Sequence, residues 1–250
     1  MIRAIALAFL LASCGGGYTP PPTPTPQPTI NAISYLGTDS AEPRHDWPLP
    51  NGYVILTNKI TSPSSATQSW DFITSDNGDG FQTAEVGGDG WVRFPSTKDG
   101  GTPYVQYFVG ARCGGTGWLV FRNDATNSWK DYLARLSISP DPNTCPPLGQ
   151  AYTRYRLETI AFPFAVNGMR EVRDLSTVVS EHYSGDNIQS ATALERSYLS
   201  KDYGLVRWEA WSLNPPTITD LPERCSPVDY SVPPASGWYM NDCRTYTNIK

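Results

Sequence analysis

Four runs in the second half of the chain decide the fold: YTRYRLETIAF at 152–162, DLSTVVSEHY at 174–183, ATALERSYLS at 191–200 and GLVRWEAWS at 204–212. Each run is rich in β-branched and aromatic residues, and turn-forming residues separate it from the next. Successive side chains of a strand point to opposite faces, so each run presents two different sets of side chains. The pattern predicts four strands that lie side by side if they pair in chain order.

Shorter runs of the same kind recur outward from this segment, separated by Gly, Pro, Asn or Asp. Helical periodicity is scarce, and residues 124–135 contain the one stretch suited to a helical turn. Short strands at this spacing predict an all-β fold, an antiparallel β-sandwich of the jelly-roll or concanavalin-like type with long coil loops. The further predicted strands are 30–36, 52–57, 68–74, 90–94, 103–109, 117–122, 132–138 and a short one at 236–240.

A proline-rich break at 139–148 divides the strands into two groups. It fits a domain boundary, and it also fits a long loop held by a disulfide. We favour the loop, and therefore a single domain over residues 30–250.

Alternation also predicts which side chains share a face. In a meander, three acidic residues and one arginine gather on one face, with two aromatic residues nearby: Glu181, Glu195, Arg207 and Glu209, with Tyr183 and Trp211. Trp208 has the opposite parity to Trp211, so one of the two is expected in the core and the other on the surface.

A polar face that carries aromatic rings suits a sugar ligand. The rings stack on the apolar faces of pyranoses, while carboxylate and guanidinium groups bond to hydroxyls. The ligand-contacting residues would be Tyr183, Glu195, Arg207, Glu209 and Trp211. Two carboxylates about 5–5.5 Å apart could instead catalyse retaining glycoside hydrolysis, with Glu181, Glu195 and Glu209 as candidates. The other interpretation is a set of charge pairs on the solvated face of a sandwich.

In outline, this architecture resembles concanavalin-like and jelly-roll carbohydrate-binding proteins. The resemblance concerns the arrangement of strands and aromatic residues, and it assigns no residue. The Glu-x-Asp-x-x-Glu pattern of laminarinase-like hydrolases does not occur in the sequence.

Four cysteines follow Cys14, an even number that favours two disulfides in an exported chain. Because each pair lies within one local region, we expect Cys113–Cys145 and Cys225–Cys243. A zinc site is disfavoured, since there is no Cys-x-x-Cys motif or histidine cluster.

The segment Ser75-Asp76-Asn77-Gly78-Asp79-Gly80 partly fits a calcium-binding loop. Asp76, Asn77 and Asp79 would be the ligands, and Ca²⁺ is the one cofactor the sequence suggests. Serine replaces the first carboxylate, and Val86 stands where the bidentate glutamate is expected. A glycine-rich hairpin turn is the simpler interpretation.

The two histidines limit any histidine-dependent mechanism, and no Gly-x-Ser-x-Gly elbow occurs. His182 could act as a general base, but alternation turns it away from the face of Glu181. An ordinary hydrogen-bonded histidine is the simpler expectation.

The N-terminus has a positive charge at Arg3 and an apolar run at 4–11, followed by Leu11-Ala12-Ser13-Cys14. This run is too short to span a bilayer as a helix, and it is typical of a signal peptide. The four residues match the lipobox, so the segment resembles that of bacterial lipoproteins. The resemblance implies cleavage after residue 13 and acylation of Cys14, which anchors the chain in a membrane.

Residues 14–29 follow as a Gly-, Pro- and Thr-rich tether. At about 3.1 Å per residue, its proline-rich part would hold the domain roughly 35–40 Å from the membrane. In lipoproteins an Asp after the cysteine favours retention in the inner membrane. Gly15 stands there, so the resemblance implies the outer membrane of the cell envelope.

The charge composition excludes one class of binding partner. The net charge is −5, and no basic stripe is present, so nucleic acid is not expected. Besides the membrane, the expected partners are a polysaccharide or other glycan, or an envelope protein.

Overall fold

The structure is a computed structural model that describes residues 30–37, 44–46, 54–62, 67–74, 78–98, 103–216 and 230–249. The predicted signal peptide, Cys14 and the tether lie outside these residues. Within the described residues the chain is all-β, as predicted, and none of the helices is long and apolar enough to cross a membrane. The thirteen strands are β1 Arg44–Asp46, β2 Val54–Ser62, β3 Thr67–Thr74, β4 Gly78–Val86, β5 Trp91–Lys98, β6 Gln106–Val109, β7 Trp118–Arg122, β8 Lys130–Ser139, β9 Gly149–Val166, β10 Met169–Tyr183, β11 Ala193–Ser200, β12 Gly204–Ser212 and β13 Tyr239–Ile249.

The strands form one sheet in the order β4-β3-β2-β1-β13-β12-β11-β10-β9-β8-β6-β5-β7, with β4 also paired to β5. The strands β9 to β13 pair in chain order, so the predicted meander is confirmed. The end of β13 also pairs with the end of β9 in parallel, which joins these five strands into a closed ring of pairings. One face of β9–β13 therefore faces the inside of this ring, and we call that face the ring side.

The sheet also folds over itself to give a sandwich-like core. Strand β7 lies across β9 and β10, where the Ser180 hydroxyl donates to the Val120 carbonyl oxygen over 2.5 Å. Between these layers lies a cluster of buried side chains that includes Phe121, Tyr155 and Val178. Two smaller clusters fill the ring side of the meander, one around Phe162 and Phe164 and one around Trp211 and Trp238.

The predicted strand at 204–212 has the observed limits, whereas three other expectations were wrong. Residues 30–36 contain the 3-10 helix Ala32–Tyr35, which the Asn31 side chain caps at its N-terminus. Residues 124–135 form turns and the start of β8 rather than a helical turn. The last strand is β13, which lies almost wholly beyond the predicted 236–240.

The disulfide Cys113–Cys145 is present as predicted. It joins the short 3-10 helix Ala111–Cys113 to the proline-rich segment 139–148. Strands from both sides of that segment belong to the same sheet, because β6 pairs with β8 and β8 pairs with β9. The predicted Cys225–Cys243 bridge stays a prediction, since Cys225 lies outside the described residues.

The predicted calcium loop falls partly on β4, a strand that the sequence analysis missed. Asp76 and Asn77 lie outside the described residues, and the backbone of Asp79 pairs with β3. Among the described residues, no group of three or more His, Cys, Asp or Glu side chains could hold a metal ion.

Candidate functional site: a buried charge ladder and an apolar groove

Four charged side chains of alternating sign form a ladder across the ring side of the meander. Arg154 on β9 lies opposite Glu181 on β10, Glu181 lies opposite Arg196 on β11, and Arg196 lies opposite Glu209 on β12. The Arg196 guanidinium bridges both carboxylates, with Nη2 2.6 Å from Glu181 Oε1 and Nη1 3.1 Å from Glu209 Oε2. Arg207 adds a further bond, from Nε to Glu209 Oε1 over 2.6 Å.

The ladder lies in the protein interior, not on a solvated face. Glu181 and Glu209 are 1% and 0% exposed. Burial by itself raises the pKa of Glu181, but the positive charges of Arg196 and Arg154 outweigh it, and the net effect lowers that pKa. At Glu209 the same balance holds, with Arg207 and Arg196 lowering the pKa against burial. Both carboxylates are therefore held ionised by their partners.

Two aromatic residues predicted to contact a ligand complete the bonding of these carboxylates. The Tyr183 hydroxyl donates to Glu181 Oε2 over 2.6 Å, and Trp211 Nε1 donates to Glu209 Oε2 over 2.9 Å. Both aromatic side chains are buried, as is Arg207. Of the two tryptophans on β12, Trp211 is thus the core residue, while Trp208 is half-buried on the other face.

Glu195 does not join the other two glutamates, and this corrects the predicted grouping. It lies opposite His182 on β10 and Ala210 on β12, on the face away from the ladder. The β10–β11 register pairs Glu181 with Arg196, which turns Glu195 away from Glu181. A β-bulge near Val206 turns it away from Glu209, because Leu199 pairs with Leu205 but Tyr198 pairs with Arg207. The extra residue shifts the register by one, which exchanges the side chains that share a face.

The predicted pair of catalytic carboxylates is not formed. Glu181 and Glu209 are buried, and the Arg196 guanidinium bonds to both of them. Glu195 lies on the opposite face from both. Retaining hydrolysis needs two accessible carboxylates about 5–5.5 Å apart, and these three residues do not supply them.

A groove of about 430 Å³ opens on the other face, at the end of the meander where Glu195 lies. Its floor and walls are largely apolar and come from β7 and from β8 to β12. Trp118 supplies an aromatic surface, and Glu195 and Gln150 supply polar groups. A largely apolar cleft with a few converging polar groups is typical of small-ligand sites.

Tyr183 and Trp211 also border this groove, whereas Arg207 and Glu209 do not. At the β13 side, Asn241 donates from Nδ2 to Ser212 Oγ over 2.5 Å. The Asn241 Oδ1 atom is buried and accepts no hydrogen bond in the described part of the chain.

His182 lines the groove wall and is held by hydrogen bonds, as the sequence analysis expected. Trp118 Nε1 donates to His182 Nδ1 over 2.7 Å, so the ring proton sits on Nε2, which lies 3.0 Å from Ser180 Oγ. The Ser180 hydroxyl in turn donates to the Val120 carbonyl oxygen. This tautomer cannot accept a proton from Ser180 through Nε2, so the pair is not a serine nucleophile and its base. Burial lowers the pKa of His182 to about 3.

Sequence reasoning missed Trp118, Arg154 and Arg196. The arginines share faces with predicted residues only once the strand register is known. Trp118 lies on β7, far from the meander in sequence, and the sequence pattern carries no sign that β7 folds over β10.

No protein-family model, no curated protein and no solved structure matches this chain.

Proposed function

We propose that this chain is an exported lipoprotein, anchored through Cys14, whose groove binds carbohydrate. The observation that carries the proposal is the groove itself, with the Trp118 surface beside the polar groups of Glu195, Gln150 and Asn241. A sugar ring presents an apolar face and several hydroxyls, and these match an aromatic wall with converging polar groups. The tether at 14–29 would hold the groove away from the outer membrane.

Binding is favoured over glycoside hydrolysis. Glu195 is the one carboxylate among the described residues that line the groove. A single carboxylate orients a hydroxyl but does not provide both the nucleophile and the acid of the retaining mechanism.

A protein partner in the envelope is the second candidate function. Ile138 lies on the rim of the groove and is 56% exposed. Exposed apolar residues beside a cleft fit a protein contact as well as a ligand site. The two candidates differ in what occupies the groove.

The test is a glycan array probed with the full chain, produced by export so that its disulfides form. A second arm uses Ala193→Trp, because Ala193 is exposed on the groove wall and a large side chain there would fill the cleft. Ala161→Trp is the matched control, since Ala161 is exposed on β9 and does not line the groove.

We expect the wild-type chain and Ala161→Trp to bind the same glycan class and Ala193→Trp to lose it. A blank array from folded protein, or equal binding by all three chains, would overturn the proposal. A blank array would leave the protein-partner candidate as the better account.

A further inference from the structure

A second cavity, of about 180 Å³, opens from the charge ladder on the face opposite the groove. Its polar side is formed by arginines and its other walls by apolar and aromatic side chains. A cavity of this size holds several water molecules, which suits a small organic ligand. We call it the arginine pocket; its lining residues used below are Trp129, Arg154, Arg156, Glu158, Arg196 and Tyr230.

Trp129 contacts two arginines on the charged side of this pocket. The Arg154 guanidinium lies 4.3 Å from its ring centroid, and the Arg156 guanidinium lies 4.4 Å from it. Arg154 and Arg156 are two residues apart on β9 and so share a face. Such cation–π contacts hold the two guanidinium planes in place before any ligand arrives.

Two polar atoms in the pocket lack partners. Arg156 Nε and the Tyr230 hydroxyl are buried, and neither has a hydrogen-bond partner in the described part of the chain. An unsatisfied buried donor is costly, at about 1–3 kcal/mol. Both groups can donate, and both belong to side chains that line the pocket.

The charge of the pocket indicates the sign of the charge that its ligand carries. Three arginines, Arg154, Arg156 and Arg196, face two glutamates, Glu158 and Glu181, which leaves one formal positive charge. The chain as a whole carries −5, so this positive site is a local exception. One negative charge on the ligand would balance it, whereas a dianion would reverse it.

From these features we infer that the arginine pocket binds a small ligand through a single carboxylate. Arginine presents its N–H groups in a planar fork that matches a carboxylate. The aromatic and proline walls would contact the rest of the ligand. The site lies on the opposite face of β10 and β11 from the groove, so its occupancy is independent of the proposed function.

The test is a titration of the full chain, labelled with ¹⁵N-tryptophan, with glucuronate, followed through the indole N–H resonances. The neutral methyl ester of glucuronate is the matched ligand, since it differs only in charge at the carboxyl group. Inorganic sulfate tests a tetrahedral oxyanion. Arg156→Gln removes the unpartnered donor, and Arg170→Gln makes the same charge change on an exposed residue outside the pocket.

We expect glucuronate to shift the Trp129 resonance and to bind at least about tenfold more tightly than its ester. Arg156→Gln should weaken binding by about tenfold or more, while Arg170→Gln leaves it unchanged, with equal thermal unfolding of both variants confirming their folds. Equal binding of acid and ester, absence of glucuronate binding, equal loss in both variants, or sulfate binding as tight as glucuronate would each overturn the inference. Ala193→Trp should not affect this titration. The arginine-pocket inference and the groove proposal can therefore fail independently of each other.

Discussion

At Glu181, donors from three side chains converge on one buried carboxylate. Arg154 Nε lies 2.5 Å from Oε2, the Tyr183 hydroxyl lies 2.6 Å from the same atom, and Arg196 Nη2 lies 2.6 Å from Oε1. A charge removed from water is stable only when it is bonded in this way. Glu181 is therefore a structural residue, and its removal would take one carboxylate partner from Arg154 and one from Arg196, which would keep Glu209.

We predict that Glu181→Gln lowers the free energy of unfolding by about 3–5 kcal/mol, because it breaks a buried ion network from one side. Urea denaturation of the full chain measures this loss. Glu171→Gln is the control, since Glu171 pairs with Arg173 on the exposed end of β10 and should contribute about 1 kcal/mol or less. Equal losses in the two variants would contradict the structural role of the ladder.

His182 gives the protein a pH dependence of its own. Its pKa in the folded chain is lowered from 6.5 to about 3 by burial. The unfolded chain therefore binds a proton that the folded chain does not, and stability falls as the pH is lowered from about 6.5 toward 3. The buried glutamates also have lowered pKa values, so their stabilisation is lost only below their ordinary value of 4.5.

In the His182→Gln variant, we expect the loss of stability between pH 6.5 and 4.5 to be smaller than in the wild-type chain. The measurement is the free energy of unfolding in urea at several pH values across this window. An unchanged slope would mean that His182 titrates normally and is not buried as described.

At the scale of elements, the strands of the meander could be predicted, and their register could not. The alternation of side chains along each run predicted the strands β9 to β12 and the two sets of side chains that each strand presents. Which sets meet depends on the bulge near Val206, which places Arg196 rather than Glu195 opposite Glu209. A bulge is set by local backbone geometry that the polar and apolar pattern does not record.

The disulfide Cys113–Cys145 ties the connection between β6 and β7 to the connection between β8 and β9, across 32 residues. In the chain-entropy model, closing a loop of this length stabilises the fold by about 4 kcal/mol. We predict that Cys113→Ser combined with Cys145→Ser lowers the free energy of unfolding by roughly that amount, measured in urea. A loss well under about 1 kcal/mol would show that the loop is held by its other contacts.

At the scale of the whole molecule, a charged site and an apolar site lie on opposite faces of the meander. Its ring side holds the charge ladder and the arginine pocket, and its other side holds the apolar groove. The all-β fold followed from composition and strand spacing. The groove could not be predicted, because Trp118 reaches it only when β7 folds over β10.

The most direct test of the central claim is the position of a bound neutral glycan, taken from the array, on the ¹⁵N-tryptophan-labelled full chain. Trp118 and Trp211 border the groove, while Trp129 lines the arginine pocket on the opposite face. If the groove is the carbohydrate site, the indole resonances of Trp118 and Trp211 shift on titration and that of Trp129 does not. A shift at Trp129 alone, or no shift at any of the three, would contradict the account.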